Sequence, residues 1–131
     1  GDRPVFIRKE ATMIKIDKFS FGSAVIQGTK HIRDLILLPD GSIVRRDGGF
    51  WVIGSHCIGK KEVEQLYSTG AEFIVIGIGV LSRAHLSEEA KTYVEKQPAQ
   101  IFVLPSRDAV RKWNQLSDEG KKAAALIHIT C

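Results

Sequence analysis

The stretch AEFIVIGIG, residues 71–79, decides how this chain folds. It is a continuous apolar run, too short for a buried helix and without the alternation of a half-exposed strand. Such a run reads as a strand covered on both faces, as in parallel sheets. Toward the C-terminus, HLSEEAKTYVEKQ places Leu86, Ala90, Tyr93 and Val94 on one helical stripe. Ser87 supplies its N-cap, and Glu88 and Glu89 sit where the helix dipole favours negative charge. Pro98 separates that helix from QIFVLP, a second buried strand. SRDAVRKWNQLSDEG follows, with Ser106 as N-cap, Ala109, Val110, Trp113 and Leu116 facing inward, and Gly120 as breaker. AAALIHITC closes the chain as a third apolar strand. This alternation predicts parallel strands joined by crossover helices that lie on the sheet faces.

Toward the N-terminus, GKKEVEQLYSTG puts Val63, Leu66 and Tyr67 on one helical face, with Gly70 as its stop. Ahead of it lies an antiparallel meander with strands at about 22–27, 31–38 and 42–46. Gly28-Thr29 turns the first pair and Pro39-Asp40-Gly41 the second. MIKIDKF alternates from Ile14 to Ile16 and reads as one more short strand. The expected fold class is α/β: a three-layer single domain with a mixed central sheet, a βαβαβ C-terminal half and an antiparallel N-terminal β-meander. Residues 1–12, ahead of the sole methionine Met13, read as a leader or extension, and 13–131 as the domain.

Length suits one core without staples, and the longest apolar run is far too short to cross a bilayer. Lysine plus arginine number 19 against 15 acidic residues, a formal charge of +4. The basic pairs Arg45-Arg46, Lys60-Lys61 and Lys121-Lys122 stand apart, without the clustered patch and interleaved aromatics that nucleic acid would want. Nucleic acid and membrane are therefore not expected partners. Two cysteines, Cys57 and Cys131, make no disulfide framework, so a reducing, cytoplasmic setting is expected. His128 and Cys131 would alternate to opposite faces of a strand, whereas structural zinc wants four converging ligands. No metal and no cofactor are expected.

Gly77 and Gly79 invite comparison with a dinucleotide fingerprint. Ser82 stands where the third glycine belongs, and Ser87 delays the helix, so its amides are displaced from the turn. A weaker anion site is the alternative, formed by Gly77 and Gly79 with Arg83, His85 and Arg107 beyond the carboxyl ends of the parallel strands. The blander reading, preferred here, is that the glycines permit an exit turn while the charged groups face water. His56 and Cys57 are adjacent and point to opposite faces of an extended segment, so an inert thiol is preferred to an activated nucleophile. Trp113 belongs to a core stripe. Phe50 and Trp51, beside Gly48-Gly49, either form an exposed apolar patch for a partner or cover the open side of a sheet.

Four motifs in order, LPDGSIV, FIVIGIGV, AVRKWNQL and AALIHITC, resemble one family of small domains. This Mth-type family includes an adipogenesis-associated protein and an assembly factor of mitochondrial respiratory complex I. Trp51 and His56 also fall near a tryptophan and a histidine of that family, although Gly48-Gly49-Phe50 crowds the join differently. The resemblance spans nearly all of 13–131 and implies a three-layer α/β domain with a mixed sheet and no established activity. Its complex I members act through protein contacts, a role of the mitochondrial branch that does not transfer to a chain showing no transit peptide. The function expected is a non-enzymatic protein-interaction or assembly-type domain with an unidentified protein partner, and self-association into a homo-oligomer is left open. The alternative is a binder, or an enzyme, for a small anionic molecule.

Overall fold

Ala123–His128 is buried at every position because it runs up the middle of the sheet. The computed structural model describes residues 14–46 and 56–131. The front part gives β1 (Lys18–Ser20), β2 (Ser23–Ile26), β3 (Thr29–His31), β4 (Leu35–Leu37) and β5 (Ile43–Arg45). Then come β6 (Cys57–Ile58), α1 (Lys60–Tyr67), β7 (Phe73–Ile78), β8 (His85–Leu86), α2 (Glu88–Glu95), β9 (Gln100–Leu104), α3 (Ser106–Asp118) and β10 (Ala123–His128). The main sheet has the order β5-β4-β10-β7-β9. β10 is parallel to β7, β7 is parallel to β9, and the β4 and β5 pairings are antiparallel. The sheet is mixed, as the sequence predicts.

Side-chain alternation sorts these strands into two cores. Val75, Ala123, Ala125 and Ile127 face Ala109, Trp113 and Leu116 of α3, together with Ala24 and Ile26 of the small β1-β2-β3 sheet. Ile74, Ile76, Ala124 and Leu126 face Val63 and Leu66 of α1, Ala90 of α2, and Ile58 and Leu86 of the β6–β8 pair. Three layers result. Neighbouring residues of β7 and β10 serve opposite cores, which is why their sequences show no polar alternation.

Four local expectations change. β9 is not a covered strand: none of its residues is fully buried, because it lies at the edge of the sheet with β7 the only described strand beside it. The segment at 31–38 is not one strand: β3 stays with β2, while β4 joins β10. Between them the chain bends so that the Asp34 carboxylate accepts from the Ile129 backbone N–H at 3.0 Å. Ile14 and Ile16 are buried without joining a sheet, because α3 supplies their partners. Trp113 Nε1 donates to the Ile14 carbonyl at 2.7 Å. Asn114 accepts from the Ile16 N–H at 2.8 Å and donates to its carbonyl at 2.9 Å, as a neighbouring strand would. Ser106 is not an N-cap; Pro105 holds that position, and the Ser106 hydroxyl is engaged elsewhere. Ser87 does cap α2, accepting from Ala90 N–H at 3.0 Å.

Candidate functional site

The carboxyl ends of β7 and β10 lie side by side, and most of the residues singled out above gather there. At the end of β7 the backbone is packed without room for side chains. A Cβ on Gly77 would lie 2.8 Å from Ser106 Oγ and 3.2 Å from Ala109 Cβ. Gly79 has φ +106°, and a Cβ there would meet the Cys131 carbonyl oxygen at 2.1 Å. The amides around this loop already have carbonyl partners. Val80 N–H donates to Thr130 O at 2.6 Å, Arg83 N–H to Cys131 O at 2.9 Å, and Ser106 N–H to Gly79 O at 3.0 Å. The buried Ser106 hydroxyl accepts from Gly79 N–H at 2.8 Å and donates to the His128 carbonyl.

The end of β10 is built from charge. His128 Nδ1 lies 2.6 Å from Asp34 Oδ2, and Arg46 Nη1 donates to that same oxygen at 3.0 Å. Arg46 also donates to both oxygens of Glu62, from Nε at 2.5 Å and from Nη2 at 2.9 Å. Nη2 additionally donates to the Cys57 carbonyl at 3.0 Å. The Arg46 side chain is only 2% exposed, so its charge depends on these two carboxylates rather than on water. Glu62 further accepts from the Gly59 N–H at 3.2 Å, closing the start of α1.

Burial, the largest influence on Asp34, pushes its carboxyl up. Hydrogen bonds from His128, the Ile129 amide and Arg46 outweigh it, and the net displacement is below the ordinary aspartate range. Burial likewise works against the Arg46 guanidinium, but Glu62 and Asp34 leave it more basic than usual. On its other side the His128 ring meets His56 edge-on, with centroids 5.5 Å apart, and Nε2 lies 3.4 Å from Thr130 Oγ1. Chemically this is an oriented imidazole on a partly buried carboxylate, the arrangement that fixes a histidine tautomer.

The anion-site candidates separate in depth. Gly77 and Gly79 are buried, whereas Arg83, His85 and Arg107 are exposed. The Arg107 guanidinium lies 5.9 Å from the Phe19 ring centroid. His85 pairs in register with Cys57 across β6–β8, and its N–H donates to the His56 carbonyl at 2.8 Å. Phe50 and Trp51 lie outside the described residues. Among the described residues no group of three or more His, Cys, Asp and Glu side chains could hold a metal, and no helix is long and apolar enough to cross a membrane.

Asp34, Arg46 and Glu62 escaped the sequence reading because they lie 12 and 16 residues apart, with His128 a further 66 along the chain. Glu62 looks like an ordinary helix-start acid, and Arg46 like half of a surface pair. The available signal was Asp34 itself, an acid directly ahead of LILL. At the opposite, amino end of the sheet a cavity of about 400 Å³ is lined by Tyr67, Tyr93, Gly70, Ala71, Pro98 and neighbours. No basic residue lines it, and the Tyr67 hydroxyl is buried without a hydrogen-bond partner.

The likeness to known proteins extends over the whole domain. A family model described as "Protein of unknown function (DUF498/DUF598)" matches residues 16–128. The conserved hypothetical protein PH1505 from Pyrococcus horikoshii OT3 is 27% identical, with a TM-score of 0.78 over 89% of this chain and 99% of that one. MT938 is 26% identical, with a TM-score of 0.73 over 90% and 99%. A protein from Bartonella henselae described as an outer membrane protein is 22% identical and shares the fold, with a TM-score of 0.74 over 91% and 97%. The Mth-type resemblance read from four motifs is thus matched by sequence model and by structure. With 16–128 covered end to end, the chain belongs to the DUF498/DUF598 family, whose function is unknown.

Proposed function

We propose that this chain is a non-enzymatic protein-interaction or assembly-type domain that docks through the carboxyl end of its sheet. The observation carrying this reading is a set of three large apolar side chains left in water: Phe21 at 54%, Ile32 at 68% and Leu81 at 57% exposure. Phe21 and Leu81 adjoin residues tied to the last residues of the chain, and Ile32 stands two positions from another. Gly22 N–H donates to Ile129 O, Asp34 accepts from Ile129 N–H, and Val80 and Arg83 donate to the Thr130 and Cys131 carbonyls. Apolar side chains grouped on one end of a folded domain mark a contact surface more often than scattered ones do. Arg33, Arg83, His85 and Arg107 are exposed at the same end. The complementary partner is a protein surface with an apolar centre and an acidic margin. A second copy would bring the same basic margin, so face-to-face self-association here is opposed by like charge. Two cysteines are too few for a disulfide framework, which favours a reducing compartment such as the cytoplasm.

A photo-crosslinker placed at Leu81 or Ile32 of the full chain tests this. It should trap one defined acidic protein in cells, and the same probe at exposed Gln115 on α3 should not. Binding of that protein in vitro should weaken as salt rises. Equal trapping from all three positions would sink the reading. A second reading, binding of a small anion, is supported by Arg83, His85 and Arg107, none of which makes an ion pair with another described residue. Calorimetry with inorganic phosphate and small carboxylates tests it, and heat that survives Arg83→Glu with Arg107→Glu would count against it.

A further inference from the structure

We propose that the free edge of β9 is a strand-addition site for an extended partner segment in which acidic and apolar residues alternate. β9 is the outermost strand, with β7 on its inner side. Gln100 N–H donates to Glu72 O at 3.1 Å, and Phe73 pairs with Gln100. In a parallel ladder this turns the backbone groups of Gln100, Phe102 and Leu104 toward β7. The N–H and C=O groups of Ile101 and Val103 therefore face outward, and no other described strand lies on that side. The Val103 side chain is 41% exposed.

Sheet edges are normally guarded by proline, a bulge, an inward charge or a very short strand. QIFVL has none of these over its five residues, whereas the opposite edge, β5, has only three residues and ends on Arg45. The charge beside β9 specifies the occupant. Lys112 Nζ stands 4.4 Å from the Phe102 ring centroid, and Lys121 Nζ stands 6.0 Å from that of Phe73. Both rings pack on the α3 face. Lys112 reaches only Gln115 Oε1, at 3.4 Å, and neither lysine has a carboxylate partner among the described residues.

An added strand places the residue opposite Phe102 on the α3 face, beneath Lys112, so an acid fits there. The residues opposite Ile101 and Val103 fall on the other face against apolar neighbours, so they should be apolar. This alternation is the same for either strand direction. Pairing with a second copy is the less favourable occupant, because a two-fold axis through Phe102 brings the two Lys112 side chains together.

The test is titration of the isotope-labelled full chain with the capped peptide Val-Glu-Val-Glu-Val, compared with the same peptide carrying Lys for Glu. At low salt the Ile101 and Val103 amides should shift and exchange more slowly with solvent, while the Phe102 amide exchange stays unchanged. The Glu peptide should bind about five-fold more tightly, with the gap narrowing as salt rises. Lys112→Glu should reverse the preference, and Leu81→Glu should leave it intact, separating this site from the carboxyl-end surface. No response at Ile101 and Val103, or equal binding of both peptides, overturns the proposal. So does concentration-dependent slowing of those two amides without peptide, which would mean pairing of copies.

Discussion

The two central strands leave the sheet next to each other, and their exits are closed by opposite chemistry. At β7 closure is steric: two glycines let the backbone meet Ser106, Ala109 and the Cys131 main chain. At β10 it is ionic: Asp34, Arg46, Glu62 and His128 satisfy one another in partial burial. The first kind of closure tolerates no added atom. In the second, Asp34, Arg46 and Glu62 each depend on the others to hold a partly buried charge.

The sharpest way to break the comparison is Gly79→Ala. Positive φ and a Cβ 2.1 Å from a carbonyl oxygen together should cost about 4 kcal/mol in urea unfolding. Gly120→Ala is its control, with φ +70° and nothing within 4 Å, and should cost only about 1 kcal/mol. Similar losses at the two positions would show that crowding at the β7 exit is not what matters. Next in size, Arg46→Met strands two partly buried carboxylates and should cost about 3 kcal/mol. Adding Asp34→Asn and Glu62→Gln should recover part of that loss; a triple variant weaker than the single one would show that packing, not charge, carries the site. The smallest effect is on pH dependence. The Asp34 carboxyl is held lower in the folded state than in the unfolded one, so its stabilising contribution is present above the unfolded aspartate range. That contribution is lost as pH falls through the lowered, folded value. Asp34→Asn should therefore flatten the acid limb of the stability profile, and an unchanged limb would remove Asp34 from the account.

How much of this was legible in the sequence follows from the range of each interaction. β7 and β10 could be read from their continuous apolar runs and the three helices from their apolar spacing, because these strands bury both faces and each helix buries one. Trp113 was placed correctly in the core for the same reason. The split at Ile32-Arg33-Asp34 could not be read, since it depends on a bond to Ile129, 95 residues away. Ile14 and Ile16 carried the alternation of a strand while lying against a helix, because Asn114 mimics a neighbouring backbone. The ionic cluster is a meeting of four distant segments, and no local pattern announces it.

Ser106 has a mechanical consequence. Its one hydroxyl accepts from Gly79 and donates to His128, so it rivets both strand ends to the first turn of α3. That turn cannot slide without breaking both bonds at once. An arriving molecule would thus find a preformed platform beneath the exposed side chains, with little backbone entropy left to lose on contact.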